Sequence, residues 1–307
     1  VWSREGKIYR ITPRQNDATN DTWMTDSGRG LFKETESENR INNYTIDGVN
    51  QDIDTVAQAA ADLLQKGKVA LIGSAHSSVE EQFYLKKISD YIKASTTIIA
   101  KTGIGDGILL SEDRTPNLRG ALLNRLITEL PSATADSINS QIQSGAIQTL
   151  FVVNEDLTSV GISQESLSKV SIIYFGSLAN KTSEVAKVVI PTFTVFEKSG
   201  TFVNQNFILQ QFLPAIPGPK GIISDVLMLA KIFGKMAGDS KEPATLNTVW
   251  QDLSNTINEF ESITWQKIGD QQSMQINPRA FLDLSFSESK NLKYDPATFK
   301  EVHTEVV

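Results

Sequence analysis

Between residues 52 and 190, apolar runs of three to five residues alternate with segments whose apolar positions recur at a helical period. This constrains the fold more than any other feature, because strands separated by helical crossovers return to one sheet in parallel. The segment 53–65 places Ile53, Val56, Ala57, Ala60, Leu63 and Leu64 on one helical face, and Gly67 suits its C-terminal cap. A short buried strand at 68–72 then ends at Gly73, and 79–94 reads as a helix with Phe83, Leu85, Ile88 and Ile92 inward. Further strands are expected at 96–100, 108–110, 150–153, 171–175 and 187–190. The expected fold is α/β: a mostly parallel sheet with helices on both faces. A β-hairpin over residues 1–12, turning at Glu5 and Gly6, precedes it.

Downstream, Ser224 is expected to cap a helix ending at Met236, 238–243 reads as a linker, and 248–260 as a helix. After Trp265 the chain is polar and weakly periodic, so we expect a wrapped or poorly ordered tail. The chain thus divides into three regions: 1–50, 51–240 and 241–307. Val1 opens inside a strand-like run with no initiator Met and no signal peptide, so a piece cut from a longer polypeptide is expected.

The 307 residues contain no cysteine. Disulfides, thiolate metal sites and cysteine-held iron-sulfur clusters within this chain are thereby excluded. His76 and His303 are the only imidazoles, which leaves little material for a Ser-His-Asp triad. The net charge of −7 argues against a broad phosphate-contacting surface for nucleic acid. No run approaches the roughly 18 apolar residues of a membrane span.

Residues 195–212, VFEKSGTFVNQNFILQQF, follow Val188, Val189, Ile190 and Pro191. Glu197, Lys198, Ser199, Gly200, Thr201, Phe202, Val203 and Asn204 resemble a loop of the molybdopterin oxidoreductases. The large iron-sulfur subunit of NADH-quinone oxidoreductase (respiratory complex I), which descends from them, has a similar loop. Where that family usually continues Glu-Gly-Arg, this chain has Asn206, Phe207 and Ile208. Trp23, Met24, Thr25, Asp26, Ser27, Gly28 and Arg29 are similar to the family's Trp-Met-Cys-Asp-Glu-Gly-Arg, with Thr25 at the cluster-ligand position. Asp113, Arg114, Thr115, Pro116, Asn117, Leu118, Arg119 and Gly120 also resemble a run of the complex I relatives.

The resemblance implies a noncatalytic structural domain of a complex I-like assembly, docked beside flavin and iron-sulfur subunits. It would meet the membrane only through that complex, on the cytoplasmic side of a bacterial inner membrane or the mitochondrial matrix side. No metal, no catalytic residue and no cofactor are expected in this chain, with the clusters held upstream or by partners. The alternative is a molybdopterin-dependent oxidoreductase of formate dehydrogenase type. As pterin-loop candidates the resemblance marks Gly73, Ser74, Glu197, Lys198, Gly200 and Asn204; loss of the Gly and Arg removes a close backbone approach and a cation.

Other candidates have simpler readings. The turn 74–78, with Ser74, Ala75, His76, Ser77 and Ser78, sits where an α/β sheet binds ligands, but small residues also serve a tight strand-to-helix turn. Gly103, Gly105 and Gly107 miss the dinucleotide spacing, whose third glycine lies three beyond the second. Asp113, Arg114 and Arg119 form either a charged site or a locally bonded loop. Glu155 and Asp156 lack a partner for acid-base work, and Asp52 and Asp54 are explained by helix initiation.

Overall fold

A computed structural model of the protein describes residues 1–17, 19–99, 113–129, 135–238, 245–278 and 281. The three glycines at 103, 105 and 107, the strand expected at 108–110, His303 and most of the expected tail lie outside them.

The chain opens with the hairpin β1 (Trp2–Arg4) and β2 (Lys7–Arg10), then the short helix α1 (Asp26–Gly30). Next come β3 (Thr45–Ile46), β4 (Val49–Asn50), α2 (Ile53–Leu64), β5 (Val69–Ser74), α3 (Val79–Ile92) and β6 (Ser95–Ile99). The middle of the chain holds α4 (Leu118–Leu123), α5 (Ala135–Gln143), β7 (Thr149–Val153), α6 (Gln164–Leu167), β8 (Ser171–Gly176), α7 (Lys181–Glu184) and β9 (Val188–Pro191). The last part comprises β10 (Gly200–Val203), β11 (Ile208–Phe212), α8 (Asp225–Ala237), α9 (Leu246–Thr256), α10 (Trp265–Gln271) and β12 (Met274–Gln275).

Seven strands form the central sheet in the order β4-β3-β9-β8-β7-β5-β6. From β9 to β6 every pairing is parallel, and the short β3 and β4 close one edge antiparallel. The period of two sorts the side chains. Leu71, Phe151, Ile173 and Val188 point to the face covered by α2, α3 and α8, whereas Ile72, Leu150, Val152 and Ile172 point to the face covered by α5 and α6. Both faces are therefore dry, as a parallel sheet requires. The expected fold class, including the N-terminal hairpin, is what the chain adopts.

Helix starts obey local chemistry. Asp52 accepts from Thr55 N at 2.9 Å, and Ser78 with Glu81 forms a reciprocal capping box at the head of α3. Helix α3 ends on Lys93 in the left-handed region (φ 54°). Ser224 is the N-cap of α8 but makes no side-chain cap bond, so position without the expected contact defines that start.

The region after Trp265 departs from expectation up to residue 278. Thr264 accepts from Lys267 N to start α10, and β12 pairs with β11, with Leu209 opposite Met274. Burial of Ile268 and Ile276 holds this segment, too few apolar positions for a recognisable period. Residues 200–212, expected to be a loop, are the hairpin β10–β11 of a three-stranded antiparallel sheet.

Candidate functional site

The chain steps from β5 to β6 on one side and later to β7 on the other, so strand order reverses between β5 and β7. A crevice opens outside the carboxyl ends of strands at such a point and is the usual ligand position of an open α/β sheet. Here the turn after β5 meets the turn after β7: Ser74 Oγ donates to Glu155 Oε1 at 2.7 Å, both residues being buried. His76 is exposed at the tip of the first turn, and its N–H donates to Ser74 Oγ. Ser77 Oγ is buried with no hydrogen-bond partner. Asp156 caps the short helix after β7 by accepting from Thr158 N, and it also accepts from Thr182 Oγ1.

The six residues marked as pterin-loop candidates divide between this crevice and the segment packed above α3. Gly73 lies in β5, where a Cβ would stand 3.3 Å from Ile98 Cγ1; Gly200 begins β10, where a Cβ would stand 2.8 Å from Ser78 Cβ. Both glycines thus permit protein to approach protein. Glu197 Oε2 accepts from Arg40 at 2.9 Å and from Thr194 N at 2.7 Å. The Lys198 ammonium lies 2.6 Å from both Glu81 Oε1 and Asp225 Oδ2, with all three side chains under a tenth exposed. Asn204 Oδ1 closes the hairpin turn by accepting from Asn206 N and Ile208 N.

The first turn of α3, which sequence reasoning passed over, organises this region. Glu80, Glu81 and Gln82 are consecutive and all buried. Glu80 accepts from Thr201 N, Thr201 Oγ1 and Trp250 Nε1, the last at 2.6 Å. Burial still pushes its carboxyl above the ordinary range, against those bonds. Gln82 donates to Asn117 O, and Asn117 donates to Ser77 O while accepting from Val203 N. Asn117 is therefore the N-cap of α4 by position, but its side chain joins the turn after β5 to β10.

The Lys198 cluster contains one ammonium and two carboxylates. Burial alone would lower Lys198, but Asp225 and Glu81 hold it well above its ordinary value. Asp225 moves the same way for the opposite reason: burial pushes it up to about 6, Lys198 pulls it back, and Glu81 adds to the rise. The surplus negative charge reconciles the two, since one cation cannot fully compensate two desolvated carboxylates.

Asp113 and Arg119 form a buried pair at 2.8 Å, and Asp113 Oδ1 also accepts from Thr115 N. Arg114 is exposed beside them. Asp54 pairs with Lys231 on α8. Thr25 is the N-cap of α1, accepting from Gly28 N at 3.1 Å, so its hydroxyl serves the local helix. Among the described residues no group of three or more His, Cys, Asp or Glu side chains could hold a metal, and no helix is long and apolar enough to cross a membrane.

Phe207 stands where the resembled loop carries glycine and keeps a glycine-like conformation (φ 57°) with its ring buried. Holding a non-glycine residue there costs about 1–2 kcal/mol, while burying an aromatic ring contributes about 1.5–3 kcal/mol. Phe207→Gly should therefore lower stability by about 1 kcal/mol, read as the urea midpoint; a gain in stability would contradict this balance.

A molybdopterin presents ring N–H donors and a phosphate, and its fit differs between the two places. In the 194–204 segment Arg40 and Lys198 are both consumed by carboxylates, so neither is available to a phosphate there. The strand-order reversal suits the ring better: Glu155 supplies a carboxylate acceptor there, and Ser77 a buried hydroxyl lacking a partner.

Residues 31–235 match the family model described as molybdopterin oxidoreductase. Among curated proteins, the F420-dependent formate dehydrogenase 2 subunit alpha of Methanococcus maripaludis is 23% identical over 129 residues, covering 40% of this chain and 19% of that protein. The F420-dependent formate dehydrogenase 1 subunit alpha of the same organism is 30% identical over 92 residues, covering 29% and 13%. The matched parts are thus under a fifth of each relative's length. A formyltransferase/hydrolase complex of Methylorubrum extorquens is similar over 64% of this chain and 99% of the matched chain, at 10% identity and TM-score 0.42, too distant to bear on function.

These matches correct two expectations. The chain was expected to carry no cofactor, whereas the family it matches is built around a molybdopterin; filling one loop from within does not remove a crevice formed by other strand ends. The curated relatives are formate dehydrogenase subunits, so the specific tie to complex I is not what the matches support. With more than half of its length inside the matched region, this chain belongs to the molybdopterin oxidoreductase family.

Proposed function

We propose that this chain is part of a molybdopterin-dependent oxidoreductase of formate dehydrogenase type. The observation that carries the reading is the strand-order reversal, where the turn after β5 meets the turn after β7 through the Ser74–Glu155 hydrogen bond. Glu155 would accept from the donor edge of the pterin ring, and the Ser77 hydroxyl would meet a polar atom of the same group. Bound there, the cofactor supplies the metal that accepts two electrons from the substrate. The Lys198 cluster holds β10 against α3 and so keeps the wall of the crevice in place.

Elemental analysis of the full-length protein, purified with its partner subunits, tests this. Stoichiometric molybdenum or tungsten, with a fluorescent pterin released on oxidation, is expected. Glu155→Leu should reduce the metal content severalfold, whereas Asp54→Asn, on α2 and away from the crevice, should leave it unchanged. A preparation lacking both metals would overturn the reading.

One observation favours a second reading: Arg40 and Lys198, the cations near the family loop, are both committed to internal ion pairs. That suits a structural domain of an NADH-quinone oxidoreductase assembly, working beside flavin and iron-sulfur subunits on the cytoplasmic or matrix side of the membrane. Stable copurification with a flavin subunit and NADH-dependent dye reduction by the complex would support it; formate-dependent reduction would support the first.

A further inference from the structure

Two fully buried side-chain amides, Gln82 on α3 and Asn117 at the head of α4, hold the turn between β5 and α3 from behind. Gln82 Nε2 donates to Ser74 O at 3.4 Å, Asn117 N to Ala75 O at 3.0 Å and Asn117 Nδ2 to Ser77 O at 2.7 Å. One pair of residues thus binds three carbonyls of the turn. The pair is also bonded to itself, since Asn117 Nδ2 donates to Gln82 Oε1 and Gln82 Nε2 to Asn117 O, each at 3.1 Å. Val203 N donates to Asn117 Oδ1 at 2.7 Å and completes a closed network.

The backbone of α4 closes directly on this clamp. A Cβ at Gly120 would stand 2.2 Å from Asn117 Oδ1, so only glycine there leaves the amide its place. Holding Ser77 O fixes the direction of the Ser77 side chain, whose hydroxyl is buried without a partner. Ser74, at the other end of the clamp, carries the hydroxyl that donates to Glu155 at 2.7 Å. The clamp therefore sets both serines through which the turn addresses the strand-order reversal.

We propose that Gln82 and Asn117 are positioning residues for the cofactor: they touch no ligand, and they hold Ser74 and Ser77 where the pterin ring meets them. The proposal rests on the reading that the pterin binds at the strand-order reversal. Groups that hold a ligand must lie within about 0.5 Å of their working positions, and hydrogen bonds one step behind them supply that precision. Losing such a support lowers the affinity of a metal site about 10- to 100-fold, and the same scale is expected here.

Gln82→Met keeps the length of the side chain and removes its hydrogen bonds to Ser74 O and Asn117. In the full-length protein, purified with its partner subunits, metal and pterin per mole of folded protein are expected to fall about tenfold. Trp250→Phe removes the donor to Glu80 and none of the turn's hydrogen bonds; it should lower Tm and keep the wild-type content, which separates positioning from stability. Loading of wild type with cofactor should also slow amide exchange at residues 75–78, and Gln82→Met should lose that protection. A folded Gln82→Met with wild-type content, an equal fall in both variants, or unprotected residues 75–78 in loaded wild type would each overturn the positioning role, with the metal and pterin of wild type still standing. Wild type without metal or pterin overturns the cofactor reading and this proposal together. Should Gln82→Met fail to fold, Asn117→Asp, which keeps an acceptor for Val203 N and replaces the amide donors with a carboxyl, is read in the same way; if neither folds, amide exchange in wild type decides alone.

Discussion

Lys198→Met is expected to destabilise the protein by about 3–5 kcal/mol, the penalty for breaking a buried ion pair from one side. The side chain itself is replaced by one of similar length, so little packing is lost. What remains is a pair of carboxylates, Glu81 and Asp225, each about 2% exposed and now without a cation. Since a domain is stable by only about 5–15 kcal/mol, the variant should unfold at a much lower urea concentration. Tryptophan fluorescence will report it.

The pH dependence gives the same prediction a sign. Asp225 titrates in the folded protein at about 6, above its ordinary 3.8. Between those values the folded form holds the proton more firmly than the unfolded chain does. The resulting contribution is fully present below 3.8 and is lost as pH rises through 6. In Lys198→Met the carboxylates gain nothing from a cation, so the deficit against wild type should shrink as pH falls toward 4. Asp225→Asn keeps an acceptor for Phe193 N and leaves Lys198 with Glu81 in a neutral pair; its stability relative to wild type should improve as pH rises from 4 to 6. A Lys198→Met variant within about 1 kcal/mol of wild type at neutral pH would mean the cluster is solvated and the account of it wrong.

Trp250→Ala should cost about 3–5 kcal/mol, the range for deleting a large buried ring. The indole is fully buried on α9, packed edge to face against Phe260 with ring centroids 5.2 Å apart. It also donates to Glu80 at 2.6 Å, which ties α9 to the first turn of α3. Trp250→Phe separates the two roles: it keeps a ring and removes the donor, with an expected loss of about 1–3 kcal/mol because Glu80 loses one partner while Thr201 still donates twice. Hydrogen exchange should show α9 and α10 losing protection in the alanine variant before the central sheet does. Uniform loss across the sheet would refute the idea that α9 is anchored chiefly through this residue.

Legibility of the fold tracked the number of apolar positions available to set a period. The strands at 68–72 and 150–153 were readable because both faces of a parallel sheet are buried, which writes a continuous apolar run into the sequence. Helix α10 and strand β12 were not, because a few residues such as Ile268 and Ile276 hold them and no period results. The loop at 195–212 was recognised by its residues, yet its β10–β11 pairing was missed: Phe207 occupies a left-handed position at the turn, where a glycine would have signalled the hairpin.

At the site, Glu197 and Lys198 stand out in the sequence as polar remnants of a pterin loop, and their partners are invisible there. Arg40 lies 157 residues from Glu197, and Asp225 lies 27 from Lys198. Glu80, Glu81 and Gln82 offered only the signal of a helix start, where acidic residues normally face water and complement the dipole. Their burial depends on β10 and α9 being laid over them. Asn117 was likewise readable as a helix cap, but not as the bridge between Ser77 and Val203.

Alternating buried strands and amphipathic helices admit few solutions other than the layered α/β architecture, so the residue pattern alone determined it. It also determined that no thiolate-held cluster or disulfide sits in this chain, because no cysteine is present. Which charges lie in water and which are buried, and hence that Lys198, Glu81 and Asp225 form one group, emerges only once the chain is folded. The physical reason is that hydrophobic periodicity is a local property carried by each segment, whereas desolvation of a charge depends on what distant segments bring against it.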